Sequence, residues 1–173
     1  RKYRPKKLED VVGQNFAVKA ISNAFSLNKL AHAFIFTGIR GVGKTTIARV
    51  IAMGLNCKKE SKPTSNPCGT CLNCSQILED RYEDVLEIDA ASHTGVDDMR
   101  EIISSLKYRP SKGSYKVYII DEVHMLSNSA FNALLKTIEE PPSFVKFIFC
   151  TTELQKIPIT IVSRCQKYDL NRV

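Results

Sequence analysis

Gly38-Ile39-Arg40-Gly41-Val42-Gly43-Lys44-Thr45 decides the fold of this chain. The stretch satisfies G-x-x-x-x-G-K-[ST] at every fixed position, and it stands in the context such a loop requires. An apolar run at 34–37 precedes it and reads as a buried strand; a helical pattern opens near Lys44. Glycines let backbone N–H groups turn inward around a phosphate, where side chains would block the approach. The helix N-terminus adds unpaired donors and the positive end of its dipole. Gly38, Gly41, Val42, Gly43, Lys44, Thr45 and Thr46 are therefore the expected contacts of a nucleotide's phosphates. Lys44 is placed to reach the β- and γ-phosphates as a point charge, and the Thr45 hydroxyl to ligate Mg²⁺. ATP and Mg²⁺ are the ligands this stretch predicts.

Outward from the loop, short apolar runs alternate with helical patterns, which predicts an α/β fold on a parallel sheet. The expected strands cover 34–37, 85–88, 117–120, 147–150 and, more weakly, 166–170. Apolar stripes at helical spacing lie between them: Ala17, Val18, Ile21, Ala24, Phe25; Ile47, Ala48, Ile51, Ala52, Leu55; Met99, Ile102, Ile103, Leu106; and Phe131, Leu134, Leu135, Ile138. These are core faces. Pro141-Pro142 stops the last of these helices. The run Val117-Tyr118-Ile119-Ile120 ends in Asp121-Glu122. Alone, an acidic pair after an apolar strand is an ordinary solvated strand end. Beside a phosphate loop it gains a role, because ligands of open parallel sheets lie at the carboxyl ends of strands. Asp121 is then the second Mg²⁺ anchor, and Glu122 the base that orients and deprotonates a water for attack on the γ-phosphate. Hydrolysis is favoured over binding alone.

Residues 57–75 interrupt the alternation. They are polar, contain Pro63, Pro67 and Gly69, and carry Cys57, Cys68, Cys71 and Cys74. Four thiolates with two C-x₂-C turns fit one tetrahedral Zn²⁺ with no open position for catalysis. Disulfides are disfavoured in a reducing cytoplasm, and the long first gap argues against an iron–sulfur cluster. His93 and His124 are further ligand types that this reading assigns elsewhere, and Cys150, at the end of an apolar strand, reads as core. Cys165 has no assigned chemistry.

The chain has 173 residues, 43% of them hydrophobic, enough for one domain with a substantial core. Its net charge of +7 suits a polyanionic partner, and equally suits plain solubility. The basic clusters, residues 1–7 and Lys58, Lys59, Lys62, do not decide between them. No apolar stretch is long enough to span a bilayer, and no apolar run follows the basic N-terminus as a secretory signal would need, so the cytoplasm is the expected location.

Further residues carry a family likeness. Asp121-Glu122-Val123-His124-Met125-Leu126-Ser127, Phe131-Asn132-Ala133-Leu134-Leu135-Lys136, Glu139-Glu140-Pro141-Pro142 and Ser163-Arg164-Cys165 resemble the clamp-loader branch of the AAA+ ATPases. Arg1-Lys2-Tyr3-Arg4-Pro5 with Val11-Val12-Gly13-Gln14 is similar to that family's nucleotide-base pocket, and the four-cysteine insertion narrows the resemblance to the gamma/tau family of bacterial DNA polymerase III. The resemblance implies an AAA+ P-loop domain over residues 1–173, with a central five-stranded parallel sheet and a zinc insertion at 57–75. It implies that Arg4, Pro5 and Val12 lie against adenine and ribose, and that Thr152 is a polar sensor of the γ-phosphate. Arg164, on residue type alone an ordinary surface arginine, becomes the finger that completes a neighbouring subunit's ATP site.

The resemblance further implies an ATPase motor that loads a sliding clamp on primer-template DNA, assembled with other clamp-loader subunits into a hetero-pentamer. DNA phosphates would meet the helix entered through residues 90–95. There His93 and Gly95 replace the basic residues of some relatives, leaving Arg100 and backbone amides as candidates. The family's helical lid and collar fall outside this chain, so the isolated fragment is expected to be monomeric. Two other readings are a structural loader subunit with little hydrolysis and a branch-migration helicase motor. The intact Lys44, Thr45, Asp121 and Glu122 weigh against the first. The cysteine insertion and Ser-Arg-Cys weigh against the second.

Overall fold

The computed structural model describes Pro5, Lys7, Leu8, Val11 and residues 13–92 and 96–171, with the side chains of 96–98 left out. The sites expected at Arg4 and Val12, and the positions of His93 and Gly95, lie outside the described residues. Five strands, β1 (Ala33–Thr37), β2 (Val85–Asp89), β3 (Lys116–Asp121), β4 (Val145–Thr151) and β5 (Gln166–Asp169), form one sheet in the order β2-β3-β4-β1-β5. Every pairing is parallel, as the sequence predicts. The helices are α1 (Asn15–Ser26), α2 (Lys44–Asn56), α3 (Leu72–Leu78), α4 (Val96–Ser105), α5 (Asn128–Glu139) and α6 (Ile159–Val162). Among the described residues, no helix is long and apolar enough to cross a membrane.

Side chains alternate across the sheet with the period of two that a strand imposes. Phe34 and Phe36 join Ile21, Phe25, Ile47 and Ile51 in one core, against α1 and α2. Ile35 joins Met99, Ile102, Phe131 and Leu134 in the other, against α4 and α5. Because β1 and β4 are buried on both faces, residues 33–36 and 147–150 read as unbroken apolar runs. The edge strand β5 buries only Tyr168, which stacks on Phe36 with ring centroids 5.5 Å apart; that explains its weak signal. Two short helices have no counterpart in the periodicity, being too brief to show one. α6 follows Pro158, whose φ of −54° suits a helix start. α3 starts at Cys71, whose sulfur accepts the Cys74 N–H.

α2 is buried along most of its length, including Asn56 at its end. Asn56 Oδ1 accepts the N–H groups of Ser114 and Tyr115, both at 2.9 Å, and its carbonyl accepts the Asn73 amide at 2.8 Å. One helix end thus fastens the cysteine insertion and the loop before β3. Two residues earlier the insertion's backbone crosses α2 itself: Thr64 N–H donates to the Gly54 carbonyl at 3.0 Å. A Cβ on Gly54 would stand 2.0 Å from the Thr64 carbonyl oxygen. Alanine in a helix interior normally gains about 1 kcal/mol over glycine. Here overpacking against backbone, worth about 1–3 kcal/mol, reverses that sign. Gly54→Ala is therefore expected to lower stability in denaturant titration, and a gain would contradict this contact.

Candidate functional site

The loop after β1 turns the chain into α2 through Gly43, whose φ of 108° is a conformation that side-chain-bearing residues rarely adopt. That turn leaves the first N–H groups of α2 facing outward. They border an open cavity of about 400 Å³ formed by Arg40, Gly41, Gly43, Lys44, Thr45 and Thr46. Asp89, Asp121 and Glu122 close it from the ends of β2 and β3. The loop and the acidic pair therefore converge as the sequence predicts. A larger cavity of about 480 Å³ lies outside edge strand β2 against α4, among Leu86, Ile88 and Ile102. It is mainly apolar, and it shares Asp89 with the cavity at the phosphate loop.

Lys44 is buried, with Nζ donating to the carbonyls of Gly38 at 2.8 Å and Ile39 at 2.9 Å. Its charge is thus held inside the loop by two neutral acceptors, which a phosphate can replace. Opposite it, burial pushes the Asp121 carboxyl above the usual carboxylate range. The Glu122 N–H bond opposes the shift, the charges of Glu122 and Asp89 add to it, and Lys44 offsets part of it. A cation between Asp121 and Thr45 would relieve that repulsion. Asp89 is a member of the cavity that sequence reasoning missed: it pairs in register with Asp121, one residue past the predicted strand. Arg49 of α2 grips Glu87 of β2 through two 2.8 Å contacts and fastens that strand to the loop's own helix.

Glu122 lies in the left-handed region, at φ 51°, where β3 bends into a short 3-10 turn, Val123–Met125. That turn brings His124 under the site. Its Nδ1 stands 2.8 Å from Thr151 Oγ1, and its Nε2 stands 3.4 Å from a Glu122 carboxylate oxygen and 3.3 Å from one of Glu153. His124 thus serves away from the cysteines, as the sequence reading has it. Thr152 follows the end of β4 and is exposed; the Gly38 N–H donates to the neighbouring Thr151 carbonyl, so the phosphate loop and this turn touch. Arg164 stands outside the cavity, its side chain 40% exposed, donating to the Thr160 carbonyl and paired with Glu139 at 3.0 Å. Pro5 is half-buried.

The four sulfurs of Cys57, Cys68, Cys71 and Cys74 all lie within 4.8 Å of one another. A tetrahedral zinc with bonds of ~2.3 Å requires sulfur separations of ~3.8 Å. Cys68 and Cys74 are already at 4.0 Å. Backbone N–H groups of Thr70 and Cys71 point at Cys68 Sγ, that of Cys68 at Cys57 Sγ, and that of Cys74 at Cys71 Sγ. Such donors favour thiolates, whereas burial pushes the Cys74 thiol up. Burial raises the Cys68 thiol, yet these bonds outweigh it and draw its pKa down to about 6. The donor set fits one metal ion. Cys150, by contrast, is wholly buried in the core, and half-buried Cys165 donates to the Ile161 carbonyl.

A family profile described as "DNA polymerase III, delta subunit" matches residues 13–173. The chain belongs to this family. Similar curated relatives include DNA polymerase III subunit tau of Escherichia coli, 54% identical over 98% of this chain and 26% of the relative. DNA polymerase III subunit gamma of Buchnera aphidicola (subspecies Schizaphis graminum) is 56% identical over 99% of this chain and 47% of its own length. Within the DNA polymerase III family, then, the resemblance is to gamma and tau subunits, and the chain spans a quarter to a half of the length of these relatives. Among solved structures, the RuvB Holliday junction branch migration motor of Thermotoga maritima superimposes with a TM-score of 0.67 at 22% identity, covering 99% of this chain and 49% of that one. That likeness is one of fold: a five-stranded parallel sheet flanked by helices.

Proposed function

We propose that this chain is the ATP-binding and hydrolysing domain of a clamp-loader subunit of bacterial DNA polymerase III. The observation that carries the reading is the convergence of Lys44 and Thr45 with Asp121 and Glu122 on one cavity. Gamma and tau names among relatives alike over nearly the whole chain point the same way. The N–H groups of the loop and of α2 hold the β-phosphate. Lys44 leaves the Gly38 and Ile39 carbonyls for the β- and γ-phosphates. Thr45 and Asp121 hold Mg²⁺, which neutralises charge on the phosphate oxygens. Glu122 takes a proton from water as its oxygen bonds to the γ-phosphorus, and the bond to the bridging oxygen breaks to release ADP and phosphate. Thr152, beside the loop, senses the γ-phosphate; Arg4, Pro5 and Val12 receive the adenine and ribose.

Arg164 stands apart from its own cavity and half exposed, a position that suits action on a neighbour's nucleotide. In that role it supplies positive charge to the transition state, worth ~10³–10⁵ in rate in related enzymes. The partners are other loader subunits, the sliding clamp and primer-template DNA, in the cytoplasm. Cys57, Cys68, Cys71 and Cys74 bind a structural Zn²⁺.

Lys44→Ala in the assembled loader is expected to abolish hydrolysis, because the γ-phosphate loses its main counter-charge. Glu122→Gln should keep ATP bound and slow single-turnover hydrolysis by ~10²–10⁴-fold, the usual worth of a general base. Turnover near wild type in either variant contradicts the assignment. One Zn²⁺ per chain is expected by metal analysis. Cys71→Ser should release it and raise hydrogen exchange across 57–75 while nucleotide affinity holds. Iron, or no metal, in the wild-type protein would remove the zinc reading.

A further inference from the structure

The imidazole of His124 lies between the base assigned above and the turn that carries Thr152. Its side chain is only 4% exposed, so its ring nitrogens must find partners within the protein. On one side, Nδ1 meets Thr151 Oγ1 at 2.8 Å. That oxygen already accepts the Glu153 N–H at 2.9 Å, which leaves the hydroxyl hydrogen free to donate to Nδ1. A ring that accepts at Nδ1 carries its proton at Nε2. Nε2 faces two acceptors, a Glu122 oxygen at 3.4 Å and a Glu153 oxygen at 3.3 Å. Both are ion-pair separations, longer than an ordinary hydrogen bond. Glu153 is itself paired with Lys156 at 3.1 Å. The chain Thr151–His124–Glu122 thus joins the end of β4 to the carboxylate that follows β3 and lines the cavity.

We propose that His124 is the positioning residue of Glu122: with Nδ1 engaged by Thr151 and Nε2 facing the carboxylates, it aims the Glu122 carboxylate at the attacking water. The inference rests on the hydrolytic reading and extends it. A side chain in the left-handed turn at Glu122 projects from a single backbone pivot. Its carboxylate therefore needs a lateral hold to stay in the geometry that proton transfer demands. His124 supplies that hold without touching nucleotide. Because Thr151 adjoins Thr152, the same contact links the aim of the base to the turn beside the γ-phosphate. Glu153 stands as near to Nε2 as Glu122 does, so the two carboxylates compete for the imidazole.

The test is a double-mutant cycle in the full-length protein assembled with its partner subunits, following single-turnover ATP hydrolysis and nucleotide affinity together. His124→Ala should slow hydrolysis by about 10- to 100-fold, the cost of a misplacement of about 1 Å, with ATP affinity unchanged. In a Glu122→Gln background, the same substitution should slow it no further, since the base it serves is gone. Thr151→Val, which keeps the side-chain shape, should reproduce both results, and Thr151→Ser should restore the wild-type rate. This pair covers the case in which His124→Ala does not fold. An equal loss in both backgrounds, or no loss in the first, overturns the role of His124 while leaving the ATPase reading intact. A Glu122→Gln variant as fast as wild type overturns the ATPase reading itself.

Discussion

Parallel pairing of β3, β4 and β1 brings their carboxyl ends to one edge of the sheet, where Asp121, Thr151 and Thr37 finish. Parallel strands require crossover connections, and here the crossovers place α2 on one face and α5 on the other. The phosphate loop is the start of such a crossover. Its proximity to Asp121 follows from topology, because both leave the same edge of one sheet. No special contact has to bring them together, and the burial of β1 and β4 on both faces makes the arrangement rigid. Chemistry at this edge therefore depends on the two aromatic and aliphatic cores beneath it.

The cysteine insertion relates to this frame through α2. That helix begins in the phosphate loop and ends at Asn56, which fastens the insertion and the loop before β3. A metal held by the four thiolates would order the polar chain between α2 and α3, which has few apolar side chains of its own to bury. The insertion braces the far end of the helix whose near end begins in the phosphate loop. A metal there would stand at the opposite end of α2 from the phosphate loop, which suits a structural role.

Different parts of the site were legible in the sequence to different degrees, and the reasons are physical. Central parallel strands bury both faces, so β1, β3 and β4 appear as continuous apolar runs, whereas edge strand β5 shows little beyond Tyr168. Gly38 to Thr45 is legible because backbone wrapping and a lysine at fixed spacing leave little freedom of residue type. Asp89, His124 and Glu153 belong to the same region, yet each is a common polar residue whose role arises only from pairing across strands. The Asn56 latch depends likewise on contacts 58 and 59 residues away in sequence. Arg164 carries its meaning from family resemblance, since nothing in its own surroundings of Glu139 and Thr160 distinguishes it from a surface arginine.

The central claim is that the carboxyl edge, with Lys44 opposite Asp121, is a nucleotide site. A crystal structure of the protein with Mg²⁺ and a non-hydrolysable ATP analogue tests it most directly. The predicted result is a β-phosphate wrapped by the N–H groups of residues 38–46, and Lys44 Nζ moved from the Gly38 and Ile39 carbonyls to phosphate oxygens. Mg²⁺ should lie between Thr45 and Asp121. A nucleotide bound elsewhere, or bound here with Lys44 still on the Gly38 and Ile39 carbonyls, would contradict the account.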